Sequence, residues 1–228
     1  MKKILFGLLI IGLLFMTGCK KEESENTKVG GWTMNPNFVA ATVPKDAIEA
    51  FNKGADKYEE MVLKPINLLG TQVVSGTNYM FLCKGTKDNT SAYYVVIVYK
   101  NLKNKCEVTK VTEFNLEEYA NIENNNYSTE ELSGGWKVFS EVGESRLTKE
   151  EQEIFNASVE KLLGVKYTAI ANLGTQVVAG TNYAMLVLGE SVSEKPVNFY
   201  SIFTIYVDLD GNKKVTSINN IDLTKFNK

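Results

Sequence analysis

The segment Leu69–Tyr79, LGTQVVSGTNY, returns as Leu173–Tyr183, LGTQVVAGTNY, with only Ser75 and Ala179 different. Its surroundings repeat in fixed register. Gly30-Gly31-Trp32 returns as Gly134-Gly135-Trp136, and Phe51-Asn52 as Phe155-Asn156, both shifted by 104 residues. Further on the shift is 107, with Tyr99 answering to Tyr206, Leu102 to Leu209 and Thr109 to Thr216. The chain is therefore two copies of one unit, and the second copy is expected to carry three extra residues in the stretch Gly189–Pro196. Two copies are too few for a solenoid. A unit of ~95 residues has the size of a self-sufficient small domain.

Within each unit the pattern predicts one helix and then a meander of strands. Ile48, Phe51, Ala55, Tyr58 and Val62 fall three and four apart, one apolar helix face opened by Thr42 or Pro44. In the second copy Thr148 and Glu151 form a capping-box pattern ahead of Phe155, Val159 and Leu162. Strands are expected at Ile66–Val73, Thr77–Leu82, Tyr93–Tyr99 and Glu107–Phe114. Their counterparts are Ala169–Val177, Thr181–Leu188, Phe199–Val207 and Lys214–Ile221, and a strand after each Gly-Gly-Trp adds an edge. The expected class is α+β, with one helix packed on an antiparallel sheet of four to five strands in each unit. The units span 30–119 and 134–228, joined by the Asn- and acid-rich linker 120–133.

The N-terminus reads as a targeting segment. Lys2-Lys3, the apolar run Ile4–Met16 and Thr17-Gly18-Cys19 have the parts of a secretory signal over 1–18, too short to span a bilayer comfortably. The ending "MTGC" resembles a bacterial lipobox, which implies cleavage before Cys19 and lipidation of that cysteine; an ordinary signal with an incidental Cys19 is the competing reading. Lys20–Lys28 is polar and without apolar periodicity, and residues 19–29 read as a tether. The expected location is the cell envelope, with a lipid anchor in a bacterial membrane and the folded part facing the periplasm or the exterior.

Composition narrows the function. The chain has no histidine, which removes Ser-His and Cys-His nucleophilic pairs, His-bearing zinc sites and the usual base near neutral pH. No carboxylate recurs near the repeated segment, so no catalytic residue, metal or cofactor is expected and an enzyme is disfavoured. Loss of Lys2 and Lys3 leaves 23 basic against 27 acidic side chains, a net charge of −4, which does not suit nucleic acid. Cys83 and Cys106 have no counterparts in the second copy. With a strand between theirs they are too far apart to bridge, and free thiols are expected.

The valine pairs pose the remaining question. Gly, Ser, Thr and Asn mark a turn around Val73-Val74, and two readings stand. A hairpin tip would expose the valines as an apolar contact, whereas a continuous strand with a glycine bulge would bury them.

Gly-Gly-Trp, one helix, QVVSG and QVVAG, and then a second hairpin resemble the cystatins, inhibitors of papain-like cysteine proteases, whose signature is Gln-x-Val-x-Gly. Here it matches Gln72, Val74 and Gly76, and again Gln176, Val178 and Gly180. QVVAGTNY is similar to the stefin branch, which lacks disulfides. The resemblance runs from Gly30 to the C-terminus and implies a wedge of three elements that occludes a protease cleft. In the first copy these are Gly30 and Gly31, Gln72, Val73, Val74, Ser75 and Gly76, and Leu102. In the second they are Gly134 and Gly135, Gln176, Val177, Val178, Ala179 and Gly180, and Leu209. Val29 and Leu132 would lie where family trunk side chains fill substrate subsites. Stefins carry Leu-Pro-Gly at the second hairpin, whereas these turns read Asn101-Leu102-Lys103-Asn104 and Asp208-Leu209-Asp210-Gly211. The implied function is a monomeric, membrane-tethered inhibitor of papain-like cysteine proteases. The alternative is a non-inhibitory surface or periplasmic binding module on the same scaffold.

Overall fold

The computed structural model describes residues 31–34, 43–120, 136–138 and 146–227. The first copy runs β1 (Trp32–Met34), α1 (Lys45–Ala55), β2 (Val62–Val74), β3 (Gly76–Lys87), β4 (Thr90–Asn101), β5 (Cys106–Phe114) and the short helix α2 (Leu116–Ala120). The second runs β6 (Lys137–Val138), α3 (Lys149–Val159), β7 (Val165–Val178), β8 (Gly180–Ser191), β9 (Asn198–Val207), β10 (Lys213–Asn220) and a closing 3-10 helix, Leu223–Asn227. The class is α+β. The strands form two antiparallel sheets in the orders β1-β2-β3-β4-β5 and β10-β9-β8-β7-β6, the fifth strand of the second being two residues long. Ala120, placed by composition at the start of the linker, closes α2 and is buried. Residues 121–133, the signal segment, Cys19 and the tether lie outside the described residues.

Each helix packs on the outer face of its own sheet. Pro44 opens α1, and Phe51 meets Phe81 edge-on with ring centroids 5.0 Å apart. Gly54 lets the helix approach the strands, because a Cβ there would stand 2.9 Å from Val98 Cγ1. The helix ends at Ala55, so Tyr58 and Val62 do not continue its apolar face; Val62 instead begins β2. Leu162 likewise falls beyond α3. The capping box on α3 forms as its residues predict. Glu151 N–H donates to Thr148 Oγ1 and Thr148 N–H to Glu151 Oε2 at 2.8 Å, while Asn172 Nδ2 donates to Glu151 Oε1 at 2.6 Å. One carboxylate thereby caps the helix and ties it to the sheet.

The inner faces of the two sheets pack against each other. Met80, Leu82, Val95 and Ile97 of the first share one core with Leu173, Leu186, Tyr200 and Ile202 of the second, and α2 and the 3-10 helix close its margins. Size alone predicts two self-sufficient units, but the strands are apolar on both faces and a single helix covers only one of them. The order of layers is helix, sheet, sheet, helix.

The contacts across this core are nearly reciprocal, the second tyrosine bond falling one residue short of the exact counterpart, Leu69. Tyr93 Oη donates to the Leu173 carbonyl, and Tyr200 Oη donates to the Leu68 carbonyl at 3.3 Å. Burial holds the Tyr200 phenol proton well above the usual tyrosine range, which keeps it a donor. These contacts also fix direction. Leu223, past the end of β10, lies beside Gly70, which is nearer the first repeated turn than Leu68 is. In the same way Leu116, past the end of β5, lies beside Gly174. The remote end of each sheet therefore overlies the turn-proximal part of the other, and the two repeated turns point to opposite ends of the molecule.

Candidate functional site

Each repeated segment is a hairpin reduced to its minimum. In the first copy Ser75 alone separates β2 from β3, with Val74 paired to Gly76 and Val73 to Thr77. In the second Ala179 does the same between β7 and β8. The chain reverses at the valines, so the continuous-strand reading does not hold. Val73 and Val74 keep 46% and 40% of their surface exposed, and Val177 keeps 73%. Val178 is half-buried.

Three interactions make the reversal rigid. Gln72 Oε1 accepts from Asn78 Nδ2 at 2.7 Å, and Gln176 Oε1 from Asn182 Nδ2 at 2.9 Å, each a bridge across the hairpin stem. Tyr99 Oη donates to the Ser75 carbonyl at 2.6 Å, and Tyr206 Oη to the Ala179 carbonyl, which ties each tip to the neighbouring strand. Gly76 and Gly180 have φ of 138° and 129°, a region that side chains avoid. A Cβ on either would also enter the van der Waals shell of the adjacent strand's backbone, at the Lys100 and Val207 carbonyls. In the sequence Tyr99 and Tyr206 stand only as counterparts 107 apart, and their tie to the tips comes from the fold.

Next to each tip stands the second turn. Gly76 pairs with Asn101, and a Cβ on Gly180 would lie 3.1 Å from Asp208 Cα. A side-chain cap takes the place of proline here. Asn101 Oδ1 accepts from the N–H groups of Lys103 and Lys105 at 2.9 and 3.0 Å. Asp208 Oδ1 accepts from those of Asp210 and Asn212 at 2.9 and 2.8 Å, while its Oδ2 accepts from Asn212 Nδ2. The Asn212 side chain and these backbone donors hold the Asp208 carboxyl below its usual range. The left-handed position falls on Asn104 in one turn and Gly211 in the other. Both leucines stand clear of the sheet, Leu102 at 83% and Leu209 at 85% exposure. The first turn carries Lys100, Lys103 and Lys105, the second Asp208 and Asp210, so the two edges differ in charge.

The pairing of Trp32 with Gln72 brings exposed Gly31 to the same edge as the first tip and Leu102. In the second copy Lys137 pairs with Thr175 on the strand that leads to the tip. Gly30, Gly134 and Gly135, with Val29 and Leu132, lie outside the described residues. Cys83 and Cys106 are free and buried, and burial pushes the Cys83 thiol well up, which makes it a core side chain and not a nucleophile. No protein-family model matches the chain, and no curated protein matches it either.

Proposed function

We propose that the chain is a reversible inhibitor of papain-like cysteine proteases, each copy offering its valine tip and neighbouring leucine turn as one wedge for the active-site cleft. The observation that carries this reading is a valine tip locked by glycine and tyrosine, with Val73 and Val74 exposed in one copy and Val177 in the other, each beside an exposed leucine. Apolar side chains on a rigid support lose little entropy on docking, and burying them contributes ~25 cal/mol per Å². A wedge that blocks a cleft without presenting a peptide bond to the nucleophile is not consumed. The resemblance of Gln72, Val74 and Gly76, and of their counterparts, to the cystatin signature supports the same assignment. Lipidation at Cys19 would hold this inhibitor at the cell envelope.

The test is titration of papain with the mature protein. Inhibition below micromolar concentration is expected, and it should vanish when Val73→Asp, Val74→Asp, Val177→Asp and Val178→Asp are combined. Desolvating a carboxylate in a dry contact costs several kcal/mol, and about 1.4 kcal/mol is tenfold in affinity. Melting should change little, since the tips are open to solvent. A folded parent that leaves papain unaffected at micromolar concentration would replace this reading with a non-inhibitory binding module.

A further inference from the structure

The extra residues of the second copy have no part in the wedge. They fall in the loop between β8 and β9, residues 192–197, where the first copy turns on Asp88 and Asn89 alone. The loop is braced from within. Ser191 Oγ accepts from Val197 N–H at 2.8 Å, Ser193 Oγ donates to the Lys195 carbonyl at 2.8 Å, and Val192 N–H donates to the Gly164 carbonyl at 2.9 Å. So held, it exposes Val192 and Val197, and Leu163 next to Gly164 is exposed as well.

The position of this apolar patch follows from the packing of the sheets. Tyr200 Oη reaches the Leu68 carbonyl, and from that contact β9 runs back to Asn198 and the loop while β2 runs on to the first tip. Both travel the same way, since the remote end of the second sheet overlies the tip-proximal part of the first. Val192, Val197 and Leu163 therefore face the end of the molecule where Val73, Val74 and Leu102 emerge. At the matching turn of the first copy Asp88 and Asn89 are polar and exposed, and Val62, which opens β2, is an exposed apolar side chain at that end.

We propose that this patch is an accessory contact for the protease engaged by the first tip, so that the first wedge is completed by the second copy. The proposal rests on the inhibitory reading. A stable protein interface buries about 800 Å² per partner, far more than two half-exposed valines and a leucine supply. A docked protease must therefore cover neighbouring surface at that end. A two-residue turn would close β8 on β9, as it closes β3 on β4; the longer loop instead presents apolar side chains in an ordered form.

The experiment places Val192→Asp and Val197→Asp together in two backgrounds and measures papain inhibition. With the second tip disabled by Val177→Asp and Val178→Asp, inhibition by the first tip should weaken about tenfold. With the first tip disabled by Val73→Asp and Val74→Asp, inhibition by the second should stay within about twofold. An unchanged first tip, or equal weakening of both, overturns the accessory contact while leaving the wedges intact. A parent protein without any effect on papain overturns the inhibitory reading and this proposal with it. Unchanged melting curves would show that the loop variants fold.

Discussion

Replacing Gly76 by alanine asks an L-residue to hold φ near 138° while its new methyl presses on the Lys100 carbonyl and stands 2.9 Å from the Tyr99 ring. The backbone conformation alone costs about 1–3 kcal/mol. Relief of the clash requires β3 to move away from β4 at Asn101, which loosens the bond from Tyr99 Oη to the Ser75 carbonyl, worth about 1 kcal/mol. Together these destabilise by about 2–4 kcal/mol. In a chain of this length each kcal/mol lowers the melting midpoint by about 2–4 °C, so a fall of about 4–16 °C is expected. The same displacement misplaces Val73 and Val74. With the second tip disabled by Val177→Asp and Val178→Asp, papain inhibition should drop at least about tenfold. Circular-dichroism melting and steady-state inhibition read the two effects separately. If Gly76→Ala keeps both its midpoint and its potency, the locked tip has no functional meaning and the argument for a rigid wedge fails.

Three further outcomes follow from the same geometry. Because the tips point to opposite ends, light scattering at saturating papain should give two proteases per chain; a ceiling of one would mean that the ends interfere. Cleavage introduced within 121–135 should leave the halves associated through their common core until denaturant separates them. Halves that part as folded monomers would show that the inner faces contribute little. The Asp208 carboxyl is held below its usual range, so its stabilising effect is present above the unfolded value of about 3.9 and is lost as pH falls through the lower folded value. Protection of the Asp210 and Asn212 amides, measured against their intrinsic exchange at each pH, should fall in that acid window, while that of Lys103 and Lys105, capped by the uncharged Asn101, is kept; an equal fall in both turns would remove the carboxylate's role.

The duplication, the order of elements, the capping box of α3 and the site of the insertion were all legible, since each is a local pattern with a fixed spacing. The packing of sheet on sheet leaves only a trace in the sequence. YMFLC at Tyr79–Cys83 and YVVIV at Tyr94–Val98 are apolar without alternation, the mark of strands covered on both faces. Periodicity also overran the first helix. Tyr58 and Val62 keep the spacing, but the chain leaves the helix after Gly54-Ala55 to begin a long strand. The hairpin signature located both tips, yet it said nothing of the tyrosines that secure them, because those stand on the neighbouring strand and meet the tip only after folding. The second turns departed from the expected proline, and the side chains of Asn101 and Asp208 supply the constraint in its place.

The reciprocal bonds of Tyr93 and Tyr200 describe a near-twofold relation between the sheets, the arrangement of a dimer in which each subunit shows the other the same face. In a true dimer every substitution on that face enters twice, and a charge placed there meets its own symmetry mate. A single chain is released from that rule. Lys84 lies buried in the first sheet where the second has Leu188, and buried Asn67 stands where the second has Ala171. Each occurs once and not twice, and the Asn67 side chain is bonded to the Tyr200 hydroxyl of the other copy. Joining the two copies in one chain thus lets one half of a symmetric contact change while the other holds the fold.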